Sequence, residues 1–182
     1  MNELPTPEFS RLISVARLGG DPAKYRVAAT PAEAAALATR FGLSAIRDLQ
    51  AEVFLRRLPG GDVAFAAEFR AIVTQICVVT LAAFEAELKD AFTLLYRPGI
   101  DDDDADRIAL EAIEDEIVEP LAGDVIDIGE AVAQQLALVL DPYPRAPGLK
   151  VEVIDESWDN ELDADAPEAE NPFAALRGLL KS

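Results

Sequence analysis

The stretch "LQAEVFLRRLPGGDVAFAAEFRAIVTQICVV", Leu49 to Val79, decides the fold. In its first part Leu49, Ala51, Val53 and Leu55 fall on one side of an extended chain, and Gln50, Glu52 and Arg56 on the other with Phe54. "PGGD", Pro59 to Asp62, is turn chemistry. Beyond it Val63, Phe65, Ala67, Phe69, Ala71 and Val73 alternate, with Glu68 and Arg70 opposite. A period of two on both sides of a turn predicts antiparallel strands. The pattern continues through "FEAELKDAFTLLY", where Phe84, Ala86, Leu88, Phe92, Leu94 and Tyr96 share a parity against Glu85, Glu87 and Lys89. Asp90 falls on the apolar parity, which allows a bulge or a helical turn there.

Helical signals flank this meander. Thr30, Pro31 and Glu33 form a capping box with proline at the start; "PAEAAALATRF" follows, and Gly42 can close it at positive φ. A second helix is expected near 128–140. Asp127 caps it, Glu130 sits three on, and Ile128, Val132, Leu136, Val139 and Leu140 make one stripe. Asp141-Pro142 ends it. "FSRLISVARL" and "KYRVAA" have strand character, "RIALEAIEDE" reads as a short helix and "IVEPL" as extended. The expected fold class is α+β: an antiparallel strand-rich core, two main helices and a short C-terminal helical segment. The expected organisation is a single domain over 1–150, an acidic disordered linker over 151–170 and a docking segment over 171–182.

The charge is uneven. The formal net charge is −18, yet residues 1–98 carry 11 acidic and 11 basic side chains. Residues 99–130 carry 13 acidic side chains against Arg107 alone, and residues 151–170 carry 9 with no basic one. Such blocks are solvated, or they face a basic partner, and they repel nucleic acid. No apolar run reaches membrane-spanning length, and "MNELPTPEFS" has no signal-peptide pattern, so the expected location is the cytoplasm.

Candidate chemistry is sparse. The chain has no histidine and one cysteine, Cys77. Histidine-dependent nucleophiles and histidine-ligated zinc are therefore excluded, and a thiolate metal site is disfavoured. Cys77 reads as a small apolar residue in a strand, its thiol raised and made inert by burial. The run Asp101–Asp104 lacks the spaced ligands and glycine of a calcium loop. The expectation is no enzyme, no metal, no cofactor and no small-molecule substrate.

Two surfaces stand out. Arg47, Phe54, Arg56, Arg57 and Arg70 could line the outer face of the sheet and suit an RNA backbone with one stacking aromatic. The plainer account is a solvated face balanced by Asp48, Glu52 and Glu68. At the C-terminus, Asn171 caps, Pro172 opens and Phe173, Leu176 and Leu180 stripe a short segment suited to docking on its own domain or on another protein.

Three blocks, "VTQICVVTLAAFEAELKDAFTLLY", "DVIDIGEAVAQQLALVLDPYPRAPG" and "NPFAALRGLLKS", taken in order, resemble the bacterial YceD family of large ribosomal RNA subunit accumulation proteins. The resemblance implies a cytoplasmic, non-enzymatic ribosome-biogenesis factor acting on synthesis, processing or stability of large-subunit ribosomal RNA. Its implied partner is that RNA or a basic large-subunit ribosomal protein. The alternative is an acidic interaction module or chaperone for a basic partner without RNA contact. Many family members carry a Cys-x-x-Cys pair in the first block; here the positions hold Cys77 and Thr80. Whatever a pair does there, this chain cannot do by the same means.

Overall fold

The computed structural model describes residues 6–101, 103–104, 117–121 and 123–149. All but Leu149 fall in one compact unit, Met1–Gly148; a second unit spans Leu149–Ser182. The expected helix at 107–116, the acidic linker and the C-terminal segment lie outside the described residues.

The described elements are β1 (Leu12–Ser14), a 3-10 turn (Val15–Arg17), β2 (Ala23–Ala28), α1 (Pro31–Phe41), β3 (Ala45–Arg57), β4 (Val63–Ile76), β5 (Ala83–Pro98), β6 (Val118–Leu121), β7 (Val125–Asp127) and α2 (Ile128–Val139). A five-stranded sheet runs β2-β3-β4-β5-β6, and β1 pairs with β7 in a separate two-stranded ribbon. The first four strands of the large sheet are antiparallel neighbours, whereas β6 runs parallel to β5. The fold is α+β, as the alternation and the two capped helices predict.

The alternating residues do what their period requires. Val53, Leu55, Val63, Phe65, Phe69 and Val73 are all buried on one face of the sheet, beneath Leu37 of α1 and Val132 and Leu136 of α2. Thr30 and Glu33 complete the capping box of α1, and Gly42 closes it at φ 67°. The Asp127 carboxylate accepts from the amides of Gly129 and Glu130. It also accepts from the amide of Arg11 at 2.7 Å, so the cap of α2 holds the N-terminal segment as well.

Three local readings are corrected. β3 begins at Ala45, not Leu49, and its register to β4 shifts between Arg47 and Gln50. Asp48 sits in that bulge at φ 51°. The extra residue moves the buried positions from Ile46 to Leu49 and keeps both on the core face. At Asp90 neither bulge nor helical turn forms: β5 pairs with β4 without a break from Ala83 to Tyr96. Its carboxylate stays on the helix-covered face because Nε2 of Gln135 on α2 donates to it at 2.7 Å. Cys77 is not in a strand; it follows β4 and opens a tight turn in which the Leu81 amide donates to its carbonyl.

Candidate functional site

The outward positions of β2 to β5 form one continuous face. The structure brings Arg47, Phe54, Arg56 and Arg70 onto it, because they alternate with buried residues of β3 and β4. Arg57 has the opposite parity and is exposed at the end of β3. The face is not a cationic stripe. Arg47 is paired with Glu85, Lys24 and Arg26 both reach Glu52, and Lys89 reaches Glu87. Phe54 has Lys24 Nζ 5.4 Å from its ring centroid, a cation–π contact already made within the chain. In the middle of the face lies an open trough of ≈ 940 Å³.

A second surface was not legible as a site. It is the turn that joins β4 to β5. Val78, Val79 and Leu81 are exposed there, next to exposed Ile76. Leu81 is 77% exposed and adopts φ 59°, a conformation that L side chains rarely take. The segment after α2 braces the turn: the Val78 amide donates to the Pro144 carbonyl at 2.9 Å. This places exposed apolar groups on a strained, well-held turn rather than on a loose loop. The sequence signal was present in "VVTL", but a run of apolar residues after a strand reads as more strand.

Cys77 lies under this turn and is fully buried. Hydrogen bonds from the Thr80 side chain and the Ala146 backbone, opposed by burial, pull its thiol down from 9.0 to about 6. The expected direction is thus reversed. Neutral hydrogen-bond donors stabilise the thiolate without any basic side chain. Thr80, at the position of the second cysteine of the pair, now serves as the partner of the first. Among the described residues no group of three or more metal-ligating side chains converges. Among them also, no helix is long and apolar enough to cross a membrane.

Fold and surfaces together define an α+β protein with two exposed features, a charged sheet face and an apolar turn. The chain belongs to the YceD family: the family model described as "Large ribosomal RNA subunit accumulation protein YceD" matches residues 65–180. That span contains β4 from Phe65 onward, β5, the apolar turn and α2. No curated protein and no solved structure gave a match. The family is described by an accumulation role and not by a reaction.

Proposed function

We propose that this chain supports the accumulation of large-subunit ribosomal RNA without catalysis, as a cytoplasmic adaptor that holds a basic large-subunit ribosomal protein. The observation that carries this reading is the exposed turn Val78–Leu81 within the family-matched span of a chain of net charge −18. An apolar knuckle supplies desolvated contact area, and acidic segments attract and orient a basic partner. The acidity at 99–130 and 151–170 supplies that attraction, and the stripe Phe173, Leu176 and Leu180 supplies a second apolar grip. A protein partner is favoured over a phosphate backbone because the arginine-bearing face already spends most of its cations on its own carboxylates. Arg56 and Arg70 are what that face retains for direct RNA contact.

The test is a pull-down of the tagged full-length chain, with and without nuclease, analysed for protein and RNA, beside the Leu81→Asp and Val79→Asp variants. Basic ribosomal proteins that survive nuclease and are lost with either variant support the adaptor. Ribosomal RNA recovered directly, with proteins lost after nuclease, would put RNA on the arginine-bearing face and sink the adaptor reading.

A further inference from the structure

The outer sheet face carries a charge pattern that is costly in a single copy. Across its middle, strand register sets two rows side by side. One row is Arg26, Glu52, Glu68 and Ala91; the next is Ala28, Gln50, Arg70 and Lys89. Glu52 thus stands directly opposite Glu68, and Arg70 directly opposite Lys89. Like charges opposite one another on an antiparallel pair destabilise it. Glu68 and Arg70 are exposed and, among the described residues, make no ion pair. Between the rows the residues in register are Val27, Ala51, Phe69 and Asp90, which point to the other face and leave the trough.

We infer that this face is the interface of a two-fold dimer of the chain, with the axis lying along the trough, across the strands. Such an axis exchanges the two rows. Glu68 of one copy meets Arg70 of the other, and the reverse, so two ion pairs form from four charges that lack partners in one copy. The same operation sets Arg26 over Ala28, Lys89 over Ala91, Ile72 over Ala66 and Glu52 over Gln50. Arg26, Lys89 and Ile72 thus each meet an alanine, and Glu68 meets its opposite charge. The backbone agrees with this. A twisted sheet is saddle-shaped, and a two-fold axis across its strands maps a saddle onto itself, so the facing copies match in shape with strands near alignment.

The patch is four strands wide and seven residues long on β4, from Ala66 to Ile72. At standard strand spacing that is about 19 Å by 23 Å, on the order of 450 Å² per copy. This lies below the size of permanent interfaces, so the dimer is weak and concentration-dependent. It is independent of the adaptor reading and uses neither the apolar turn nor the acidic segments.

The test is sedimentation velocity of the full-length chain from micromolar to sub-millimolar concentration, in buffer of physiological salt, with circular dichroism to confirm folding. The parent is expected to show a reversible monomer–dimer equilibrium. Glu68→Arg alone and Arg70→Glu alone each set like charges across the axis and raise the dissociation constant by tenfold or more, roughly the weight of one close charge pair. The two single variants mixed together associate again, because each supplies the sign the other lacks; the double variant Glu68→Arg/Arg70→Glu also recovers. A parent that stays monomeric throughout overturns the inference. So do single variants that dimerise like the parent, or a mixture that does not associate. A labelled uridine oligonucleotide is included as a probe. Tighter binding of it by Glu68→Arg, with the parent monomeric, would reassign the face to nucleic acid.

Discussion

Asp90 on β5 accepts a 2.7 Å hydrogen bond from Nε2 of Gln135 on α2, and the two residues stand 45 positions apart in the chain. A carboxylate on the core-facing side of a sheet is tolerable only when something answers it. Here the answer is an amide from the helix that covers the sheet. Asp90→Ala leaves that amide without its partner and is expected to cost about 1–2 kcal/mol. The double variant Asp90→Leu/Gln135→Leu replaces both polar ends and is expected to cost less than Asp90→Ala alone. Urea unfolding of the three proteins checks this; a double variant less stable than the single one contradicts it.

Gly129 in the first turn of α2 is a site of close approach. A Cβ there would lie 2.3 Å from the carbonyl oxygen of Phe9 and 3.1 Å from the amide nitrogen of Arg11. Glycine to alanine in a helix ordinarily gains up to about 1 kcal/mol. At this position the sign is reversed, and Gly129→Ala is expected to cost more than about 3 kcal/mol, since backbone must move. Gly20→Ala, with nothing within 4 Å of the added carbon, is the matched control and leaves the denaturation midpoint nearly unchanged.

The Arg11–Glu33 pair gives a pH signature. Hydrogen bonding from Arg11, then from the Thr30 backbone, holds the Glu33 carboxyl down to about 2 from 4.5. A depressed carboxylate contributes stability in full above 4.5, and that contribution is lost as pH falls through about 2. Arg11→Met removes the largest cause. Thermal unfolding across this window should show a steeper acid loss in the parent than in the variant. Parallel curves would mean that the pair does not couple to folding.

Leu81 is expected to separate stability from binding. Its positive φ carries a Cβ penalty of about 1 kcal/mol that glycine relieves, and its exposed side chain has little packing to lose. Leu81→Gly is therefore expected to leave the melting temperature equal or higher while weakening capture of the protein partner. A less stable variant would show that the turn depends on the side chain for its shape.

Cys77 should ionise near neutral pH yet resist alkylation. Ultraviolet thiolate absorbance of the native chain is expected to titrate near 6, and Thr80→Val to move the midpoint upward. Complete burial keeps bulky reagents out until the chain unfolds. A native midpoint at 9.0 or above would show that burial outweighs the hydrogen bonds.

What the sequence made legible was local. The alternation of Val63 through Val73 and the caps at Thr30 and Asp127 placed one strand and two helices, because each signal sits within a turn or two of what it controls. The missed features need a partner far along the chain. β1 pairs with β7 from Leu12 to Asp127, and no periodicity in either segment of three residues announces it. Asp90 looked like an interruption because Gln135 is not its neighbour in sequence. The bulge did leave a trace: Ile46 and Leu49 are three apart where a strand requires two or four. The outer-face arginines could be grouped by parity, yet their bonded carboxylates on β3 and β5 became visible only once register was known. The apolar turn was hidden because its residues continue the apolar run of the strand it follows.

The parallel strand β6 reaches only Leu95 to Pro98 of β5. Among the described residues, Ala83 to Leu94 of β5 therefore form an open border of the sheet, with backbone donors and acceptors free along it. Such a border is a template on which further strands can grow into fibrils. Glu85, Glu87 and Lys89 stand in alternate positions along it, each strand-length of exposed backbone guarded by a charge. Charges placed in this way oppose the addition of a further strand, so the border is built to resist templating.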